Sequence, residues 1–137
     1  MHFETIDYGV VDHVATITLN RPHRHNSFNA KMIEEFQTLW QHIRRDDNVH
    51  VVVLRAAGDH AFCSGVDVTE GFNPHPNFWS QDDPGSGLSP RANKVWKPVI
   101  AAVHGMVAGG ASTGSTTAIS SSQPTTRPSS TRTSPTA

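Results

Sequence analysis

Two stretches decide how this chain folds: Ala61-Phe62-Cys63-Ser64-Gly65-Val66-Asp67-Val68, and His104-Gly105-Met106-Val107-Ala108-Gly109-Gly110-Ala111. The first ends a unit that begins with the apolar run 49–54, broken only by His50; the second follows the apolar run 98–103. Continuous apolar runs of this length predict strands buried on both faces, as in a parallel sheet. Each is followed by a glycine-bearing turn, where the backbone can approach a ligand closely and leave amide N–H groups pointing outward. Two such amides aimed at one point form an oxyanion hole, and one donor of such a site is worth about 3 kcal/mol of transition-state stabilisation. Either turn alone is equally a plain strand-to-helix connection.

Toward the N-terminus, residues 13–19 alternate in part, with Ala15, Ile17 and Leu19 on one face and Val14, Thr16 and Thr18 on the other. This predicts a strand, paired with residues 3–8 across a turn at Gly9. Asn20-Arg21-Pro22 ends it, since proline cannot donate to a ladder. From 30 to 46 the period becomes helical: Met32, Phe36, Leu39, Trp40 and Ile43 share a face. Asn29 is the expected N-cap, Glu34 and Glu35 suit the first turns, and Arg44 and Arg45 suit the negative end. The order is β, β, α, β. The proline-bearing polar segment 71–97 is expected to be a long loop with a short helix near 89–96, and long loops in compact domains are often functional.

At 137 residues the chain has room for one domain. Its formal charge of -1 lacks the basic footprint of a general nucleic-acid binder. A single cysteine, Cys63, excludes an internal disulfide and reads as a small buried apolar residue rather than a nucleophile. No apolar run approaches the roughly 20 residues of a membrane helix, and the start resembles no signal peptide, so a cytoplasmic protein is expected. His23, His25, His60 and His75 lack the close pairing of a zinc site, so no metal is expected. The composition breaks at 111. Residues 112–137 hold eight Ser, eight Thr and three Pro, with Ile119 the one large apolar residue. Such a segment cannot bury enough apolar surface to offset ordering, so a disordered tail is expected after a folded part at 1–111.

Taken in order, Leu19-Asn20-Arg21-Pro22, Asn26-Ser27-Phe28-Asn29, Val51-Val52-Val53-Leu54, residues 61–68, Lys97-Pro98-Val99-Ile100-Ala101-Ala102-Val103-His104-Gly105 and Ala108-Gly109-Gly110 resemble the crotonase superfamily, typified by enoyl-CoA hydratase and isomerase. The resemblance covers residues 5–111. It implies an α/β fold, the ββα spiral of the ClpP/crotonase fold, here truncated to a partial domain at 1–111. It also implies an acyl-CoA substrate, with coenzyme A as part of that substrate and no separate cofactor. The thioester oxygen would meet the N–H groups of Val66 and Gly110, and the Ser64 carbonyl the adenine amino group. Arg24 falls where the family often puts a basic side chain near the CoA phosphates, with Arg21 and His23 weaker candidates. Gly65, Asp67, Val68 and Thr69 complete the expected binding segment, Asp67 chiefly as a cap. Phe72, Phe78 and Trp79 are candidates for the acyl channel, or simply for packing the loop. Family members assemble as trimers or hexamers, using parts that this chain lacks.

One departure bears on chemistry. Hydratases of the family carry two glutamates after the Gly109-Gly110 turn, which add water by general acid-base catalysis. The position nearest the first is Thr113, and residues 112–137 contain no Asp or Glu. The expectation is therefore an acyl-CoA binder of the hydratase/isomerase type with impaired turnover; the alternative is a non-catalytic fragment or weak CoA-thioester binder. Codon arithmetic accounts for the tail. Serine as TCN, threonine as ACN and proline as CCN, read one base earlier, become NTC, NAC and NCC. With free first bases, 112–137 can decode as FYWLNDGDIVISADDATFFDPHVTYG, which resembles the family's continuation and still lacks both glutamates. A reading frame shifted near the codons for Gly110 and Ala111 is expected.

Overall fold

The computed structural model describes residues 1–70, 77–80 and 83–108. Strands β1 (Ile6–Val11) and β2 (Val14–Leu19) form an antiparallel hairpin in which Ile6 faces Leu19 and Val11 faces Val14. Its turn is Asp12-His13, both at positive φ (49° and 66°), and not at Gly9. Gly9 lies inside β1 opposite Thr16. A two-residue hairpin turn matches strand twist when both central residues are left-handed, and an aspartate at the first tolerates that conformation better than most side chains.

Helix α1 (Ala30–Arg45) follows, capped as expected by Asn29, whose side chain accepts from the Met32 amide at 2.9 Å. Met32, Phe36, Leu39, Trp40 and Ile43 are buried on one face against the sheet. Glu35, expected only to suit the first turns of the helix, has a further role. It is buried, and its carboxylate accepts from the amides of Glu4 (2.8 Å) and Thr5 (3.0 Å) and from the Thr5 hydroxyl, fastening the chain ahead of β1 to the helix. At the other end Lys97 donates its Nζ to the carbonyls of Ile43 (2.7 Å) and Asp46, meeting the negative pole of α1.

Strands β3 (Val51–Ala56) and β5 (Val99–Ala101) run parallel to β2, giving the order β1-β2-β3-β5. Between them comes the short β4 (Ala61–Cys63), which pairs in parallel with β6 (Met106–Val107) as a separate two-stranded sheet. Burial of β3 and β5 is one-sided. Val52, Leu54, Val99 and Ala101 are buried, whereas Val51 and Val53 are half-buried and Ile100 is exposed. The expectation of strands buried on both faces is corrected accordingly, and the second strand is shorter than the run 98–103.

Within the long connection, residues 90–94 form hydrogen-bonded turns rather than the expected helix; Lys94 at φ 59° breaks any helical path. The 3-10 turns are Phe78–Ser80 and Pro84–Leu88. The second is held on α1 because the Trp40 indole donates to the Leu88 carbonyl at 3.1 Å. A Cβ at Gly87 would lie 2.4 Å from the Ile33 side chain, so only glycine lets this turn approach the helix. The tail expected at 112–137 lies outside the described residues.

Replacing Glu35 by alanine strands two amides and a hydroxyl in a buried position. Glu35→Ala is expected to destabilise the fold by about 3 kcal/mol, with the urea midpoint as the measurement.

Candidate active site

The segment after β2 turns through Pro22–Arg24, a single 3-10 turn, and then through His25 and Asn26, both left-handed at φ 51° and 53°. Asn26 makes this path possible. Its buried amide accepts from the Arg21 N–H (2.9 Å) and donates to the carbonyls of Ala57 (2.8 Å) and Ala61 (3.0 Å), so one side chain ties the loop to the ends of β3 and β4. No sequence signal beyond its place in the Asn26-Ser27-Phe28-Asn29 string marks that role.

Arg21 is buried and does not face a phosphate. Its guanidinium donates to the Ser27 carbonyl (2.7 Å) and to Glu70 Oε1 (2.7 Å), and it stands 3.0 Å from Asp67 Oδ2. Glu70 reaches on to the Asn29 amide, which caps α1. Arg21 is therefore a clamp joining the loop, the glycine turn and the helix start, which corrects its candidacy as a CoA ligand. Arg24 and His23 are exposed.

The clamp sets the backbone of residues 64–67. The Phe28 N–H donates to the Gly65 carbonyl and the Asp67 N–H donates to the Phe28 carbonyl, each at 2.9 Å, a parallel bridge opposite Val66. In such a bridge the flanking residues use their polar groups, so the N–H and C=O of Val66 point to the other side. No acceptor among the described residues meets the Val66 N–H. Gly65 has φ 98°, a conformation strained for any side chain, and this reverses the chain so that the amide emerges. The Ser64 N–H donates to the His25 carbonyl (3.1 Å), while its own carbonyl accepts nothing among the described residues. Val68 and Thr69 are exposed beside them, and Gly110 lies outside the described residues.

Asp67 is buried and caps its own turn, residues 68–70. Oδ1 accepts from the Thr69 hydroxyl (2.7 Å) and amide (3.0 Å), and Oδ2 forms an ion pair with Arg21 rather than an aligned hydrogen bond. The Thr69 hydroxyl above all, then the Thr69 amide and Arg21, hold this carboxyl far below the usual carboxylate range against the opposing effect of burial. It is a fixed anion, not a proton donor. Burial pushes the Cys63 thiol up, so it stays protonated and inert as a nucleophile. Phe72 lies outside the described residues; Trp79 is exposed and lines no channel among the described residues.

Because Asp67 has a lower pKa folded than unfolded, its contribution is complete above its unfolded value, near 4, and is lost as pH falls through the folded value. Wild type and Asp67→Asn are expected to differ most in Tm near pH 7. The gap should narrow steadily below pH 4, as followed by thermal melts across that range.

Comparison with known proteins agrees with this geometry. The chain matches the family model described as enoyl-CoA hydratase/isomerase over residues 10–119. It is 36% identical over 106 residues to (E)-benzylidenesuccinyl-CoA hydratase of Thauera aromatica, covering 74% of this chain and 40% of that protein. It is 37% identical over 105 residues to 1,2-epoxyphenylacetyl-CoA isomerase of Escherichia coli K12, covering 73% and 40%. A solved enoyl-CoA hydratase/isomerase from Mycobacterium paratuberculosis superposes with a TM-score of 0.72 at 35% identity, over 88% of this chain and 45% of that one. The chain thus spans about two-fifths of the length of these curated relatives. No helix among the described residues is long and apolar enough to cross a membrane. With the ββα order, the outward amide of Val66 and a match across most of its length, this chain belongs to the enoyl-CoA hydratase/isomerase family of crotonase-fold proteins.

Proposed function

We propose that this chain binds an acyl-CoA thioester by its carbonyl oxygen, polarising it between the N–H groups of Val66 and Gly110, with turnover impaired for want of an acid-base group. The observation that carries the reading is the outward N–H of Val66, without an acceptor among the described residues and held by the Phe28 bridge on one side and by Gly65 before it. Both curated relatives act, by their names, on CoA thioesters, one as a hydratase and one as an isomerase.

A thioester deprotonated at its α-carbon, or attacked at its β-carbon, places negative charge on the carbonyl oxygen. Fixed amide dipoles stabilise that charge without reorganising. Completing either reaction also requires a proton to move. The acids nearest the cradle are unsuited to this: Asp67 is locked ionised by Thr69 and Arg21, and Glu70 is occupied by Arg21 and Asn29. Residues 112–137 supply no carboxylate. Coenzyme A belongs to the substrate, its adenine amino group facing the Ser64 carbonyl and its phosphates facing Arg24, with Val68 and Thr69 alongside. Residues 1–111 form the partial domain that does this, and 112–137 lie outside it. The setting is cytoplasmic.

Calorimetry with crotonyl-CoA tests the reading. Weak binding is expected, reduced about fivefold by Arg24→Ala, the loss of ~1 kcal/mol typical of an exposed charge contact. Hydration of crotonyl-CoA is expected to match heat-treated protein. Absence of binding, or affinity indifferent to Arg24, removes the proposal.

A further inference from the structure

Residues 90–95 close a turn beside the C-terminal end of α1. The Lys94 N–H donates to the Arg91 carbonyl (3.0 Å) and the Val95 N–H to the Pro90 carbonyl (2.9 Å). Val95 is buried and anchors the turn, which leaves Arg91, Lys94 and Trp96 exposed around it. Lys94 holds φ 59°, a conformation that favours glycine, so a long cation is kept where the backbone disfavours one. Trp96 is 77% exposed, and the Arg91 guanidinium stands over its ring, 6.0 Å from the centroid.

Two cavities share Trp96 and Lys97 as walls. One, of about 250 Å³, is bounded by Pro90, Arg91 and Pro98 as well; the other, of about 440 Å³, by Arg44 and Lys94. No carboxylate lines either of them. Lys97 is engaged by the carbonyls of Ile43 and Asp46, and Arg44 lies at the negative pole of α1. Arg91 and Lys94 have no such compensation, and none of Arg44, Arg91 and Lys94 forms an ion pair among the described residues. Outside the described residues only Asp82 is acidic, so 109–137 hold no counter-charge. Cations gathered in this way repel one another until an anion enters.

Phosphate suits these side chains, because Arg and Lys meet its oxygens with charge-assisted hydrogen bonds. The indole asks for more than phosphate. An exposed tryptophan flanked by cations is a platform on which a planar base stacks. We propose that the cleft around Trp96 binds a nucleoside phosphate, with the base against the indole and the phosphates between Arg44 and Lys94. A free nucleotide and the nucleotide end of coenzyme A both present this chemistry. The cleft lies at the end of α1, whose 16 residues span about 24 Å, whereas the Val66 amide lies by its start, beside Phe28. The proposal therefore stands apart from the acyl-CoA reading above.

Calorimetry of the full chain with ADP, inorganic pyrophosphate and coenzyme A tests it. ADP is expected to bind about fivefold more tightly than pyrophosphate, the contribution of a stacked base. Trp96→Ala is expected to bring ADP down to the pyrophosphate level, and Arg44→Gln combined with Lys94→Gln to weaken both anions about tenfold. All three side chains are exposed, so Tm is expected to stay unchanged in each variant. ADP that coenzyme A does not displace assigns the cleft to free nucleotides; displacement at matching concentration extends it to the nucleotide end of coenzyme A. No binding of ADP, equal affinity for pyrophosphate, or affinity indifferent to the Trp96 and Lys94 changes overturns the proposal and leaves the acyl-CoA reading standing.

Discussion

The buried guanidinium of Arg21 is the constraint on which the site depends. Removing such a charge from water is costly unless it is paired and its donors are satisfied. Here it is paired with Asp67 and Glu70 and bonded to the Ser27 carbonyl, and these partners come from the loop after β2 and from the turn after β4. Neither segment can move off without stranding the charge. A lysine could not substitute, because a single ammonium lacks the planar fork that meets several acceptors in fixed directions. Holding the two segments together places Phe28 beside Gly65 and Asp67, and that bridge in turn leaves the Val66 amide facing outward. The outward set of that amide is thus a consequence of one buried side chain.

The same network settles the chemistry available around that amide. Asp67 is kept ionised, Glu70 is engaged, and the Cys63 thiol is kept neutral by burial. Asp67, Glu70 and Cys63 therefore supply fixed charges and a neutral thiol beside the Val66 amide, and none of the three is free to exchange a proton. Polarising a carbonyl and transferring a proton are separable tasks in this fold. On the proposed reading the first falls to backbone held by the Arg21 network, and the second to side chains outside that network.

Much of the frame was legible in the sequence because periodicity reports burial directly. The alternation of Ala15, Ile17 and Leu19, the helical spacing from Met32 to Ile43 and the Asn29 cap all appear where the pattern put them. What escaped was set by contacts distant along the chain. Gly9 reads as a turn because glycine usually marks one, yet the reversal falls on Asp12-His13, whose positive φ is dictated by strand twist. Glu35 reads as a surface charge until the amides of Glu4 and Thr5 close on it. Arg21 reads as a weaker phosphate candidate than Arg24 in the same loop; only the fold shows that it is turned inward while Arg24 is exposed. The outward amide of Val66 was anticipated from the glycine turn, but its cause, the Phe28 bridge, has no local signature.

The runs at β3 and β5 misled in an informative way. Their unbroken apolar character suits strands covered on both sides, yet Val51, Val53 and Ile100 lie on a face that the described residues leave half open. On β2 the positions opposite Val51, Val53 and Arg55 are Val14, Thr16 and Thr18, two of the three polar, and Arg55 donates to the Thr18 hydroxyl at 2.9 Å. Apolar character therefore grades across this face, rising from the hairpin toward β5. Contiguous apolar side chains on a solvated face forgo roughly 25 cal/mol per Å² of burial. A gradient that rises toward one edge is instead the pattern of a sheet whose central strands lie in that direction. On that pattern β5, an edge among the described residues, has the sequence of an interior strand.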